Sequence, residues 1–207
     1  MAHFLFLRHG AHDYLGRAIA GRLPGVHLNE LGRKQAEQLA QKLSLLPIDA
    51  IYSGPLERVR ETAEPIANAR HLSLQVAEEF TEIEAGEWTD RAFADLSPEP
   101  RWEHFNSFRS VTAAPGGELM LEVQARVVRK LVELRTRHQF VVIVTHGDVI
   151  RTAFAHFLGV HLDLFQRIEV DPASLSLLEL GDDFVRVRLL NAPSTGSPME
   201  LPAVRHQ

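Results

Sequence analysis

The 207 residues are enough for one domain with a substantial hydrophobic core, or for two small domains at most. Hydrophobic residues make up 45% of the chain and charged residues 24%, which is ordinary for a globular protein. The net charge of −5 gives no indication of nucleic-acid binding, so an anionic substrate would need a local cationic pocket.

The chain contains no cysteine, which excludes disulfides, thiolate metal sites and cysteine nucleophiles within it. Its start, MAHFLFLRHG, lacks both the basic residues and the long apolar core of a signal peptide. No apolar run approaches the ~18 residues that a membrane-spanning helix needs. We therefore expect a full-length cytoplasmic protein with neither membrane nor nucleic acid among its partners. The sequence predicts no oligomeric state.

The first part of the chain alternates short apolar runs with helical patterns. Residues 4–7 predict a buried strand that ends at Arg8. Asn29 is a candidate N-cap, and apolar residues then recur at helical spacing until Pro47, which should end the helix. Residues 49–52 predict a second strand.

Pro55 occupies a position typical of a first helical turn and predicts a helix to about Ala69. A short strand should follow near residues 72–76. Residues 88–117 differ in composition from the rest, with scattered prolines, tryptophan and phenylalanine. They predict an irregular insertion with short helices that covers a site like a lid.

The last part of the chain returns to regular patterns. The continuous β-branched run at 140–144 is typical of a central strand covered on both faces. We predict helices around it at 119–134 and 147–158, then two strands at 175–180 and 184–190. The alternation of strands and helices predicts a three-layer α/β/α sandwich with a mostly parallel central sheet. Residues 1–192 should form a single domain, and residues 193–207 a loose tail.

Polar residues with catalytic potential follow three of the predicted strands. Arg8 and His9 follow the first, Arg58 lies just after the second, and His146 follows the strand at 140–144. In open α/β sheets, ligands bind outside the carboxyl ends of the strands, so these side chains should share one edge. Arginine presents a planar fork of donors that matches phosphate oxygens. The pattern therefore favours phosphate chemistry.

These motifs resemble the histidine phosphatase superfamily, also called the phosphoglycerate mutase-like family, over nearly the whole chain. A bare RHG triplet is common, whereas the ordered set is specific. The matching segments are LRHG at 7–10, AGR at 20–22, LNELG at 28–32, YSGPLER at 52–58, ETA at 61–63, Glu82 with Gly86 and Trp88, PGGE at 115–118 and THGDVIR at 145–151.

The resemblance implies a role for each matching residue. His9 would attack phosphorus and become a phosphohistidine, and Glu82 would act as general acid and then as general base. The phosphoryl oxygens would be bound by Arg8, Arg58, His146, Gly21 and Gly147. His9 would need a free lone pair on its attacking nitrogen, so we expect a backbone acceptor for its other nitrogen. Glu79, Glu84 and Glu87 lie close to Glu82, which is favoured by resemblance alone.

The resemblance further implies a metal-independent phosphoric monoester hydrolase of the histidine acid phosphatase type, with no cofactor and a small phosphorylated substrate. His12 and Leu15 depart from the family pattern, which often has Ser or Thr and Asn at those places. The insertion offers Arg91, Arg101 and Arg109 without the adjacent arginine pair of the mutases, which favours a phosphatase. The resemblance does not determine which phosphomonoester is the substrate, and candidates include sugar phosphates and α-ribazole phosphate.

Other interpretations also fit these residues. One is a mutase-type phosphoryl transfer, and another is a phosphatase that acts on protein phosphohistidine. A metal-dependent hydrolase would use His9, His12 and His146, although no H-E-x-x-H spacing occurs. A catalytically inactive phospho-ligand binder would have the same fold but no need for Glu82.

Overall fold

The computed structural model describes residues 1–199 and is a layered α/β fold around one six-stranded sheet. The strands are β1 (Ala2–Arg8), β2 (Ala50–Ser53), β3 (Leu74–Val76), β4 (Phe140–Thr145), β5 (Leu175–Leu180) and β6 (Val185–Ala192). Their order in the sheet is β3-β2-β4-β1-β5-β6. Strands β1 to β4 run parallel to one another, while β5 and β6 pair antiparallel. The predicted mostly parallel sheet is confirmed.

Six α-helices surround or extend this sheet among the described residues. They are α1 (Glu30–Lys42), α2 (Glu57–Arg70), α3 (Phe93–Leu96), α4 (Pro100–Ser107), α5 (Met120–Leu134) and α6 (Gly147–Leu158). None of the helices in residues 1–199 has both the length and the apolar character that a membrane crossing requires. Helices α3 and α4 lie in the insertion at 88–117.

Both faces of the sheet are buried, which explains the continuous apolar character of β1 and β4. Side chains alternate along a strand, so Phe4 and Phe6 face the core that includes α5 and α6. Leu5 and Leu7 face the opposite core, which includes α1 and α2. The three-layer arrangement follows directly from this alternation.

Several predicted helix and strand ends differ from the structure. The Asn29 side chain caps α1 by accepting a hydrogen bond from the Gly32 N–H, as predicted. The helix nevertheless ends at Lys42, well before Pro47, because a turn at Leu43 already closes it. Helix α2 begins at Glu57, so Pro55 precedes the helix instead of occupying its first turn.

The predicted tail at 193–207 is described only as far as residue 199, and the rest of that tail lies outside the described residues. Two hydrogen bonds join its described part to the end of α1. The Met199 N–H donates to the Lys42 carbonyl, and the Lys42 ammonium donates to the Thr195 carbonyl. The described part of the tail is therefore attached to the end of α1.

Candidate active site

The carboxyl ends of β1, β2 and β4 meet at one edge of the sheet. Arg8, the last residue of β1, lies opposite Thr145 of β4, and the His9 N–H donates to the Thr145 carbonyl at 2.9 Å. A cavity of about 470 Å³ opens at this edge, a volume suited to a small ligand. Of the residues predicted for the site, it is lined by Arg8, His9, Gly21, Arg58, Glu82 and Gly147. His146 lies beside them, fully buried, with its ring 5.2 Å from the His9 ring.

The hydrogen bonding of His9 determines which of its nitrogens is free. Nδ1 lies 2.9 Å from the Gly10 carbonyl, and a carbonyl only accepts, so Nδ1 carries the proton. Nε2 therefore carries the lone pair. Burial lowers the pKa of His9 well below its usual value, and Arg58 and Arg8 lower it further. The ring is neutral at physiological pH, with an unprotonated nitrogen available for attack.

Arg58 is a buried cation without a carboxylate partner among residues 1–199. Only 1% of its surface is exposed, and one amino group donates to the Gly21 carbonyl at 2.7 Å. Its Nε and other amino group have no hydrogen-bond partner within the described chain, and the same is true of Arg8 Nε. A buried charged donor without an acceptor raises the free energy of the folded state. Because a bound anion would supply the missing acceptors, this arrangement indicates an anion site.

His146 lies next to Arg58, behind the lining of the cavity. The Arg58 amino group lies 3.4 Å from His146 Nδ1, and since arginine only donates, that nitrogen carries the lone pair. The proton is then on Nε2, which is buried and has no partner among the described residues. Burial lowers the pKa of His146 well below its usual value, with Arg58 as the next cause. His146 is thus uncharged at neutral pH.

Glu82 is the carboxylate next to these groups. Its Oε2 lies 3.6 Å from His146 Nδ1, and its Oε1 accepts the Ile83 N–H at 2.9 Å. Burial raises the pKa of Glu82 to about 7, and the Asp148 carboxylate also raises it, while Arg58 opposes the shift. A carboxyl group with a pKa near neutrality suits both proton donation and proton acceptance.

The neighbouring glutamates contact other residues or solvent. Glu84 accepts a hydrogen bond from the Gly86 N–H and lies 3.8 Å from Arg22, while Glu79 lies 3.7 Å from Lys130. Glu87 is exposed to solvent. Of these glutamates, Glu82 is the one whose carboxylate lies within 4 Å of a His146 ring nitrogen in the described structure.

The loop that carries His9 is held by contacts that the sequence analysis did not assign. The Gly10 N–H donates to the buried Thr62 hydroxyl at 3.0 Å. Gly32 of α1 packs so closely that a β-carbon there would lie 2.1 Å from the Ala11 carbonyl oxygen. The ETA segment at 61–63 was the signal for Thr62, since a threonine on the inner face of α2 is placed to bind a strand-end loop.

The insertion at 88–117 forms one wall of the cavity. It has a small core of its own, formed by Trp88, Leu96, Phe105 and Ala114. Of the three arginines singled out in the insertion, Arg109 lines the cavity, packed 3.8 Å above the Phe105 ring centre. The predicted short helices are present, and the cover they provide is largely aromatic.

A charged cluster of Arg109, Asp148 and Arg151 lines the same cavity. Asp148 accepts hydrogen bonds from Arg109 at 3.2 Å and from Arg151 at 2.9 Å. Burial alone would raise the pKa of Asp148, but the two arginines outweigh it and lower that pKa below its usual value. Asp148 is therefore ionised, and its charge favours the protonated form of Glu82. The sequence did not predict the contact between Arg109 and Asp148, because Arg109 lies in the insertion and is distant from Asp148 along the chain.

The metal-dependent alternative needs a group of ligands. Residues 1–199 contain no group of three or more His, Asp and Glu side chains arranged to hold a metal ion. The rings of His9 and His12 instead pack against each other, with centres 4.9 Å apart.

Comparison with known proteins gives a consistent result. The family model described as "Histidine phosphatase superfamily (branch 1)" matches residues 4–193. Phosphoserine phosphatase 1 of Hydrogenobacter thermophilus is 34% identical over 191 residues, covering 87% of each chain. The adenosylcobalamin/alpha-ribazole phosphatase of Escherichia coli is 25% identical over 178 residues, covering 82% of this chain and 85% of the relative.

A solved structure extends this similarity to the fold. The mycobacterial glucosyl-3-phosphoglycerate phosphatase, in complex with VO3, superimposes with a TM-score of 0.85 at 27% sequence identity. The match covers 93% of this chain and 100% of that one. The strand-end motifs, the cavity and these similarities agree, and the chain belongs to the histidine phosphatase superfamily, branch 1.

Proposed function

We propose that the protein is a phosphomonoesterase that hydrolyses a small phosphorylated metabolite through a phosphohistidine on His9. The observation that carries the proposal is the hydrogen bond from His9 Nδ1 to the Gly10 carbonyl, which leaves the Nε2 lone pair free beside unpartnered cationic donors. The cavity of about 470 Å³ favours a small substrate over a phosphorylated protein segment. The relatives' names support a hydrolase that acts on phosphorylated small molecules.

In the first step, the His9 Nε2 lone pair attacks phosphorus and the phosphorus–ester bond breaks. The electron pair of that bond goes to the leaving oxygen, which takes the proton of the Glu82 carboxyl group. Arg8, Arg58 and His146 hold the three non-bridging oxygens, where charge is spread in the transition state. Their donors are oriented before substrate binds, so little reorganisation accompanies the reaction.

In the second step, water attacks the phosphohistidine. Glu82, now a carboxylate, accepts a proton from this water, the phosphorus–nitrogen bond breaks, and its electron pair returns to His9 Nε2. Inorganic phosphate leaves and Glu82 is again protonated. A pKa of about 7 lets one carboxyl group serve both steps near neutral pH. All steps use residues of this chain, and we propose that no metal ion is required.

The test is a phosphatase screen over a broad panel of phosphomonoesters at several pH values with EDTA present. The panel should include phosphoserine, α-ribazole phosphate and glucosyl-3-phosphoglycerate, the substrates named for its relatives. We expect EDTA-resistant turnover of at least one compound, lost in His9→Ala and kept in His156→Ala, an exposed histidine on α6.

Three outcomes would contradict the proposal. Activity that vanished with EDTA and returned with zinc would indicate metal catalysis. Phosphoglycerate isomerisation that depended on a bisphosphate primer would indicate a mutase. Phosphate binding without turnover of any compound would indicate a binding module.

A further inference from the structure

His12 is a buried polar residue at the cavity that the mechanism above does not use. It lies on the loop after β1, only 6% of its surface is exposed, and it lines the cavity together with Arg8 and His9. Its ring centre is 4.9 Å from that of His9. A polar ring so close to the nucleophile is in position to contact the phosphoryl group that His9 attacks.

The backbone around His12 fixes the position of its proton. The Tyr14 N–H donates to His12 Nδ1 at 3.3 Å, and a backbone N–H only donates, so Nδ1 carries the lone pair. The neutral ring therefore has its proton on Nε2. Burial lowers the pKa of His12 to about 4, and Arg58 and Arg8 contribute to the shift. His12 is uncharged at neutral pH and has an N–H to donate.

This donor has no partner within the described part of the chain. No hydrogen bond of His12 Nε2 occurs within residues 1–199, and this nitrogen is not among the fully buried polar atoms that lack a partner, so it is open to solvent. His12 also belongs to the residues that line the cavity. The positive charges of Arg58 and Arg8 lower its pKa, which places the ring within electrostatic reach of both phosphate-binding arginines.

We propose that His12 is a further catalytic residue, whose Nε2–H donates a hydrogen bond to a non-bridging phosphoryl oxygen during attack by His9. The proposal rests on the proposed function. A neutral donor stabilises the developing charge without adding another cation beside Arg8 and Arg58. It also avoids repelling His9, which must stay unprotonated.

The test compares two substitutions of similar length, His12→Gln and His12→Met. The Gln amide nitrogen lies close to the place of the imidazole Nε2 and keeps an N–H, whereas Met has no donor. Removal of one such donor costs ~10²–10³ in kcat, so we expect His12→Met to lose about that factor. His12→Gln should be at least tenfold more active than His12→Met. Inhibition by orthovanadate, which has no leaving group, should weaken in the same order.

Three controls make the result decisive. Equal thermal unfolding of the two variants assigns their difference to the donor and not to folding. The pH profile of His12→Gln between pH 6 and 8 should match that of the wild type, because a pKa of about 4 leaves His12 unprotonated in that range. Equal activity and equal vanadate inhibition of the Gln and Met variants would overturn the proposal. So would a pH profile of His12→Gln that lacks the rise or the fall seen in the wild-type profile.

These outcomes separate the two proposals. If the wild type hydrolyses a phosphomonoester and the two variants do not differ, the role of His12 is wrong and the proposed function stands. If the wild type hydrolyses no phosphomonoester, the proposed function is wrong and this inference is wrong with it.

Discussion

Replacement of Glu82 by Gln tests how the site controls protons. Glu82 is 17% exposed at its side chain and lies 3.6 Å from His146 Nδ1. Burial and the Asp148 carboxylate raise its pKa from 4.5 to about 7. Gln has nearly the same shape and keeps the acceptor for the Ile83 N–H, but it has no acidic proton to transfer. The change therefore isolates proton transfer from packing.

The expected magnitude follows from the raised pKa. At pH 7 about half of the Glu82 side chains carry the proton, whereas a carboxyl group of ordinary pKa 4.5 would carry it in about one molecule in 300. General acid catalysis contributes ~10²–10⁴ in rate, so Glu82→Gln should slow the first step by that factor for a poor leaving group. The wild-type rate of this step should fall tenfold per pH unit above about pH 7, and this fall should vanish in Glu82→Gln.

The assay is single-turnover release of the alcohol, which separates the first step from hydrolysis of the phosphoenzyme. An alkyl phosphate and p-nitrophenyl phosphate should be compared, since nitrophenolate leaves without a proton and should show a much smaller loss. Glu87→Gln, at an exposed position, is the matched control and should behave as wild type. A larger loss in Glu84→Gln than in Glu82→Gln would refute the assignment, as would a fall above pH 7 that persists in Glu82→Gln.

Three further predictions concern stability, each measured by chemical denaturation. The pKa of the Glu82 carboxyl group is raised in the folded state. Such a group stabilises the folded state at low pH, and this stabilisation is lost as the pH rises through about 7. Glu82→Gln should therefore be at least as stable as wild type at pH 8. Gly32→Ala should cost about 1–3 kcal/mol and lower activity, because its β-carbon would collide with the Ala11 backbone. Thr62→Val should cost about 1–3 kcal/mol by leaving the buried Gly10 N–H without an acceptor.

The sheet was predictable from the sequence because a strand that is buried on both faces consists almost entirely of apolar residues. The run at 140–144 is apolar throughout, and it forms the central strand β4. The end of α1 was less predictable, because it depends on the turn at Leu43 and not on the nearest proline. Pro55 was misplaced for a similar reason, since proline is also accommodated in the turn before a helix.

The site was predictable where a residue follows a strand and unpredictable where its environment is assembled from distant segments. Arg8 and His9 follow β1 directly, so topology places them at the edge of the sheet. What distinguishes Glu82 from its acidic neighbours is burial beside His146, which arises only on folding. The role proposed for His12 depends on a hydrogen bond from Tyr14, a feature of loop geometry that residue types do not reveal.

The central claim is covalent catalysis by His9, and the most direct measurement is the position of phosphorus on the enzyme during turnover. The protein should be mixed with a substrate, quenched rapidly at alkaline pH, where phosphohistidine survives, and examined by mass spectrometry and ³¹P NMR. Because Nδ1 donates to the Gly10 carbonyl, we expect a phosphoryl group on Nε2 of His9, absent in His9→Ala. Phosphorus on another residue, or on Nδ1, or full turnover by His9→Ala would contradict it.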